Sequence, residues 1–139
     1  MRSAVEVGRP VARLPLSVAS ALVLAACGET TRPASSMTFL SVSAGFNHSC
    51  GVVKGGTAYC WGDNDLGQLG NGTIARSRIP TAVSGGLSFA VVGAGFFYHT
   101  CGLTAGGAAY CWGDNVFGQL GNSSRPGSST PVAVSGGLT

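Results

Sequence analysis

The sequence of 139 residues has the length of a single domain, with 45% hydrophobic and 9% charged side chains. Many apolar and few charged residues argue against a disordered chain, and a net charge of +3 is too small for a nucleic-acid-binding surface. Glycine supplies 23 residues without an every-third-residue period, which excludes collagen.

The N-terminal segment has the organisation of an export signal. Arg2, Arg9 and Arg13 precede a largely apolar run over residues 14–26 that ends in small residues. This order is typical of a secretory signal peptide, which we predict over residues 1–26. The run is shorter than the roughly 20 residues that cross a bilayer, so a permanent transmembrane helix is the weaker interpretation.

The end of this run predicts how the exported chain is held. Leu24-Ala25-Ala26-Cys27 resembles the lipobox of bacterial lipoproteins, in which the cysteine is acylated and becomes the first mature residue. Acyl chains anchor a protein at about 0.8 kcal/mol per buried methylene. We therefore expect a lipid-modified Cys27, a small polar linker over residues 27–36, and a location on the periplasmic or cell-surface side of a membrane.

The rest of the sequence is one unit written twice, over residues 37–87 and 88–139. The motif Ala-Tyr-Cys-Trp-Gly-Asp-Asn at residues 58–64 returns at 109–115, and Gly-Gln-Leu-Gly-Asn at 67–71 returns at 118–122. The offset is 51 residues here and 50 upstream, so the second copy has one extra residue just before its histidine. Internal repetition of this length is typical of solenoids and propellers.

Each unit predicts four short strands and no helix, because glycines recur every few residues between short β-branched or aromatic runs. The second and third strands of the first unit form a hairpin over Lys54-Gly55-Gly56. The predicted strands lie near Phe39–Ala44, Ser49–Val53, Thr57–Trp61 and Thr81–Val83, then Phe89–Ala94, Thr100–Thr104, Ala108–Trp112 and Val132–Val134.

The repeated motifs resemble the regulator of chromosome condensation repeat, whose Trp-Gly-x-Asn-x-x-Gly-Gln-Leu-Gly string is present in both units. The kelch repeat has a similar period, but Tyr59 and Trp61 lie too close together for it. The resemblance implies a seven-bladed β-propeller, and the cysteine-containing variant is similar to exported bacterial members.

The expected fold class is therefore all-β, with two four-stranded blades of an incomplete propeller after a lipoprotein signal peptide. Blades cover their apolar faces only against neighbouring blades. We expect a fragment of a longer propeller, whose third repeat would follow residue 139. The alternative is a chain that self-associates through its exposed blade faces to close a ring.

The cysteines of the repeats predict two disulfides. With Gly55 at the centre of the hairpin, Cys50 and Cys60 are directly opposite each other, within reach of a disulfide. Cys101 and Cys111 repeat this arrangement, and exported proteins keep such bonds oxidised. Zinc is the alternative, but nine residues between the cysteines fit its usual ligand spacing poorly.

The sequence predicts no catalytic residue, cofactor or metal ion. His48 and His99 have no evident nucleophile beside them, and are interpreted as hydrogen-bonding struts. Asp63-Asn64-Asp65 resembles a calcium loop weakly, and is interpreted as a turn. Trp61 and Trp112 are predicted to pack between blades.

The largest difference between the units predicts the binding surface. Phe96, Phe97 and Tyr98 stand where the first unit has Phe46 and Asn47. Aromatic loop residues are good binding anchors, although these rings could instead shield a neighbouring blade. We expect a non-catalytic cell-envelope binding or scaffold module that presents propeller loops to a protein or glycan and binds no nucleic acid. The alternative is the propeller part of a larger cell-envelope enzyme whose catalytic domain is missing.

Overall fold

The computed structural model describes residues 37–136, which belong to one compact unit. The predicted signal peptide (1–26), the lipidation site Cys27 and the linker (27–36) lie outside the described residues. Residues 137–139 also lie outside them. Within residues 37–136, no helix is long and apolar enough to cross a membrane.

The described chain forms two four-stranded antiparallel sheets, each with its strands in sequence order. We call them blade 1 (β1–β4) and blade 2 (β5–β8). Blade 1 consists of β1 Phe39–Ala44, β2 His48–Val53, β3 Ala58–Gly62 and β4 Ser77–Ala82. Blade 2 consists of β5 Phe89–Ala94, β6 His99–Thr104, β7 Ala109–Gly113 and β8 Ser128–Ala133. The predicted all-β fold with two four-stranded blades is confirmed.

The last strand of each blade differs from the sequence prediction. β4 begins at Ser77 and contains Pro80, whereas the predicted strand began at Thr81. The register between β3 and β4 is irregular between Cys60 and Gly62, so Pro80 lies where the ladder is interrupted. A proline without an N–H group is tolerated at such an edge, which is why the prediction placed the boundary too late. β8 begins at Ser128 and repeats this deviation.

The hairpin register places the cysteines as the sequence predicts. Cys50 is directly opposite Cys60, and Cys101 is directly opposite Cys111. Both pairs are joined by disulfides, with a Cα–Cα distance of 4.1 Å in each. The four sulfurs are thus bonded in pairs within each blade, and each bond ties the second strand of its blade to the third.

Each blade has two apolar faces, because residues along a strand alternate between its sides. We define the front face by an aromatic trio and the back face by the disulfide and its neighbours. The front faces carry Phe39, Tyr59 and Trp61 in blade 1, and Phe89, Tyr110 and Trp112 in blade 2. The back faces carry Cys50, Val52, Ala58 and Cys60 in blade 1, and Cys101, Leu103, Ala109 and Cys111 in blade 2.

The core lies between the back face of blade 1 and the front face of blade 2. Trp112 is completely buried there, in one cluster with Val52, Phe89 and the disulfide cysteines Cys50 and Cys60. Trp112 therefore packs between blades as the sequence predicts. Trp61 lies on the front face of blade 1, partly exposed, and packs on Phe39 with ring centroids 5.6 Å apart.

Candidate functional site

The candidate site is the rim of the blades at which the β1–β2 and β5–β6 loops lie. The loops from β3 to β4 and from β7 to β8 share this rim, because successive antiparallel strands reverse direction. Backbone hydrogen bonds join the loops of each blade: Asp63 N donates to the Asn47 carbonyl, and Asp114 N donates to the Tyr98 carbonyl, at 2.9 Å in both blades.

These matching bonds identify the extra residue of the second unit. Phe96 contacts Phe46 across the blades, with ring centroids 4.8 Å apart. Tyr98 takes the place of Asn47, and Phe96 is equivalent to Phe46 because each follows an Ala-Gly pair. Phe97 is therefore the insertion. The loop accommodates it with Tyr98 in a left-handed conformation, at a φ of 50°.

The predicted binding residues are accessible to different extents. Phe96 is 64% exposed and Phe97 is 58% exposed, whereas Tyr98 is partly buried. The ring of Tyr98 packs edge-on against Phe46, at 6.1 Å between centroids. Phe96 and Phe97 thus present their rings to solvent, and Tyr98 supports them.

Two further rings, which sequence reasoning missed, extend this surface. Phe46 is 53% exposed, and Phe117 in the β7–β8 loop is 81% exposed. Phe117 lies 6.4 Å from Phe97, between ring centroids, and Phe97 lies 5.4 Å from Phe96. The aromatic rim, as we call it, is a continuous chain of five rings from both blades: Phe46, Phe96, Phe97, Tyr98 and Phe117. In the sequence, Phe117 has the apolar counterpart Leu66 in the first unit, so the comparison of the units does not single it out.

The two histidines occupy different environments beside this rim. His48 is buried, and its Nε2 lies 2.9 Å from Thr100 Oγ1 in the other blade. The single hydroxyl proton of Thr100 is donated to the Gln68 carbonyl, so His48 Nε2 must be the donor. His99 is partly exposed, with Nδ1 3.3 Å from the Phe97 carbonyl.

Burial determines the charge of His48. Desolvation lowers its pKa below the usual 6.5, and the nearby His99 lowers it further, while Asp63 opposes the shift. The Nδ1 atom of His48 is buried without a hydrogen-bond partner. His48 is therefore a neutral strut between blades, which agrees with the interpretation of the sequence.

The Gln68 carbonyl makes a second contact between the blades. Trp112 Nε1 also donates to the Gln68 carbonyl, at 3.0 Å. The adjacent Gly70 has a φ of +68°, and a Cβ atom there would lie 2.5 Å from Trp112 Nε1. The repeated Gly-Gln-Leu-Gly motif thus works as a clamp, in which the β3–β4 loop of blade 1 closes over the tryptophan of blade 2.

The acidic loop after β3 is a turn held by its own side chains. Asn64 is fully buried, donates to the carbonyls of Thr73 and Ala75, and accepts from Leu69 N, each at 2.9 Å. Asp65 pairs with Arg76 at 3.0 Å on the surface. In the part of the chain that the structure describes, no three His, Cys, Asp or Glu side chains form a group that could hold a metal ion.

Comparison with protein families agrees with this architecture. The model described as the regulator of chromosome condensation (RCC1) repeat matches residues 55–102 and 106–138. A second model with the same description matches residues 39–68 and 89–119. Together, the matched segments cover both blades.

The relatives are much longer proteins. The chain is 39% identical over 90 residues to human "Probable E3 ubiquitin-protein ligase HERC4", a match that covers 63% of this chain and 8% of that protein. It is 35% identical over 94 residues to the "Ultraviolet-B receptor UVR8" of Arabidopsis thaliana, covering 67% of this chain and 21% of the receptor. The chain therefore spans less than a quarter of either relative.

Solved structures have the same fold. Prp20p of Saccharomyces cerevisiae, described with its binding properties to Gsp1p and histones, matches at a TM-score of 0.67 and 22% identity, over 76% of this chain and 27% of that one. Yeast Prp20 also has a solved complex with Kap60. Human WBSCR16 matches at a TM-score of 0.62 and 24% identity, over 70% and 25% of the two chains.

Proposed function

Because this chain belongs to the RCC1-repeat family of β-propeller proteins, we propose that it is a non-catalytic module that binds a protein partner through the aromatic rim. The observation that carries the proposal is the continuity of five rings across three loops, four of them phenylalanines that are more than half exposed. Single exposed apolar residues are common on proteins, whereas a contiguous patch marks an interaction surface.

The composition of the rim favours a protein partner. Aromatic side chains, phenylalanine included, are enriched in protein–protein interfaces, where buried anchors fill pockets in the partner surface. The named binding partners of the structural relative Prp20p are likewise proteins, Gsp1p and histones.

The rim is also positioned before binding. Gly95 N donates to the His99 carbonyl at 2.8 Å, and Asp114 N donates to the Tyr98 carbonyl at 2.9 Å. These bonds fix both ends of the loop that carries Phe96 and Phe97. A surface that is already ordered loses less conformational entropy on binding.

The non-catalytic part of the proposal is supported by the roles of the polar side chains at this rim. His48 bridges the blades, Asn64 and Asn115 hold the long loops, and Asp65 pairs with Arg76. These groups are engaged in structural contacts, whereas the four phenylalanine rings of the rim remain more than half exposed.

We propose that this module is exported and anchored to a membrane through lipid at Cys27, on the periplasmic or cell-surface side. The basic start, the apolar run over residues 14–26 and the lipobox-like end support export. The two disulfides agree with an oxidising compartment.

Anchoring is tested with Cys27→Ser against Ser36→Ala as the matched control. Cys27→Ser is expected to abolish incorporation of labelled palmitate and to move the protein out of the membrane fraction, because it removes the acylated sulfur. Equal labelling of both variants would contradict the anchor and leave the rim proposal standing.

Partner binding is tested by photo-crosslinking from the rim. A photoreactive phenylalanine analogue at Phe97 is compared in cells with the same analogue at Ile79, which is exposed on β4. We expect a discrete protein adduct from Phe97 alone, identifiable by mass spectrometry. Equal adducts at both positions, or labelling of glycan without protein, would contradict the proposal.

The partner so identified is then purified for affinity measurements. Phe97→Ala is expected to weaken binding about 30-fold, the effect of losing a contact worth roughly 2 kcal/mol. Ile79→Ala should leave the affinity within about twofold, because most interface-remote substitutions are energetically neutral. Unchanged affinity for Phe97→Ala would remove the rim from the binding surface.

A second candidate function follows from the relatives. HERC4 and HERC2 are named as ubiquitin ligases, and the matches cover 8% and 2% of those proteins. Two blades can thus be a small part of an enzyme. Intact-mass measurement of the cellular product separates the candidates, since an enzyme with a further domain would far exceed the 13.8 kDa of this sequence.

A further inference from the structure

The contact between the two blades defines a pair of complementary surfaces. The back face of blade 1 packs against the front face of blade 2, which buries Trp112 and Val92 against the Cys50–Cys60 disulfide. Because the sequence repeats, blade 1 also has a front face and blade 2 also has a back face. The front face of blade 1 and the back face of blade 2 are covered by no other strand of residues 37–136.

We propose that these two faces bind each other between copies, so that the back face of blade 2 docks on the front face of blade 1 of a second copy. A second copy fits each of these faces, because the same contact is already made once within the chain. Such a head-to-tail contact is heterologous, so it continues from copy to copy and forms a closed ring or an open filament, depending on the rotation between copies.

The front face of blade 1 already has the geometry of the buried one. Phe39 lies 6.5 Å from Tyr59 and 5.6 Å from Trp61, between ring centroids, at interplanar angles of 89° and 51°. The covered trio of blade 2 has distances of 6.5 and 5.7 Å and the same angles. The exposed trio is therefore arranged for docking without rearrangement.

The back face of blade 2 is an apolar groove of about 120 Å³, whose lining includes Leu103, Ala109 and Cys101. Leu103 is 45% exposed, whereas its equivalent Val52 is fully buried under blade 2. Val91 and Gly93 stand here in place of Ser41 and Ser43 of blade 1. The uncovered face is thus more apolar than the face that blade 2 covers.

The β3–β4 loop of blade 1, which closes over the tryptophan of blade 2, occupies a place on blade 2 that has an open counterpart on blade 1. Within the chain, Gly67 and Gln68 of blade 1 lie against Gly113, Ser128 and Ser129 of blade 2. The equivalent place on blade 1 is an open cleft of about 690 Å³, and its lining includes Gly62, Ser77 and Arg78. We expect the Gly118-Gln119 loop of a second copy to occupy this cleft.

The groups that form hydrogen bonds between blade 1 and blade 2 have equivalents on the two uncovered faces. Trp61 would donate to the Gln119 carbonyl of the second copy, as Trp112 does to Gln68. His99 of that copy would meet Ser49, as His48 meets Thr100. The cleft differs in carrying Arg76 and Arg78, of which Arg76 is paired with Asp65.

The experiment disables one face at a time in the full chain. Trp61→Glu places a charge on the front face of blade 1, and Leu103→Glu places one on the back face of blade 2. Ile74→Glu, at a residue that is 67% exposed in the β3–β4 loop, is the matched control. Molar mass is measured by light scattering over a range of concentrations, with circular dichroism to verify that each variant is folded.

We expect the molar mass of the chain without substitutions and of Ile74→Glu to rise with concentration, while each face variant alone stays monomeric. Mixing Trp61→Glu with Leu103→Glu should restore association, but only as far as a dimer, because each variant contributes one intact face. This result also separates the contact from association through residues 14–26, which neither substitution would alter. A monomeric unmodified chain, face variants that still associate, or a mixture that stays monomeric would overturn the proposal.

Discussion

Blade 1 and blade 2 share their repeated motifs and their strand register, but equivalent residues are buried to different extents. Trp112 is 0% exposed, whereas Trp61 is partly exposed on the opposite side of the pair. The disulfide of blade 1 is buried between the sheets, while Cys101 of blade 2 is partly accessible. In a repeat protein, the neighbouring unit decides whether an apolar residue belongs to the core.

The two equivalent histidines also have different surroundings. His48 lies under blade 2 with a lowered pKa, whereas the equivalent His99 lies at the uncovered side. Their local sequences are His-Ser-Cys-Gly and His-Thr-Cys-Gly. The lowered pKa of His48 therefore comes from the packed neighbour, because desolvation is its largest cause.

The tryptophans should give the largest difference between the blades. Trp112→Ala is expected to cost about 3–5 kcal/mol of unfolding free energy, since it opens a cavity in the core. Trp61→Ala should cost about 1 kcal/mol, the typical effect of a substitution outside a core. Urea unfolding at low protein concentration measures both, and equal losses would contradict the asymmetry of the blades.

The disulfides should differ in accessibility more than in stabilisation. Both close loops with a sequence separation of 10, so removing either as a double alanine variant is expected to cost about 2–3 kcal/mol. Under mild reduction, Cys101–Cys111 should be broken first because Cys101 is partly exposed. Alkylation followed by peptide mass mapping gives the order, and earlier labelling of Cys50 and Cys60 would reverse our assignment.

The smallest expected effect is a pH dependence carried by His48. Because the folded pKa lies below 6.5, the unfolded state binds the proton first as the pH falls. Stability should therefore be complete above about pH 6.5 and decrease as the pH falls toward the lower folded pKa. Unfolding titrations of His48→Gln should lose this slope, because that variant lacks the buried imidazole. If the slope persists in His48→Gln, the pH dependence of stability belongs to another group.

Much of the blade could be predicted because its signals are local. Tyr-Cys-Trp alternation, the Gly-Gly turn and the repeated spacing predict strands and hairpins, and the register around Gly55 pairs the cysteines. The late start predicted for β4 came from Pro80, whose cost depends on which edge of the sheet it occupies.

The candidate site could be predicted only in part. Phe96, Phe97 and Tyr98 stand out because they interrupt the repeat. Phe46 and Phe117 do not, since each has an apolar counterpart in the other unit. Their membership of the rim depends on loops that are distant in sequence meeting at one end of two sheets.

Short-range periodicity and spacing were sufficient to predict the family, the eight strands, the cysteine pairing and the repeat that makes the blades equivalent. Which tryptophan is core, which histidine is buried and which phenylalanines share a surface follows from how the two blades pack. Those properties depend on what packs against each face, and identical local sequences have different neighbours.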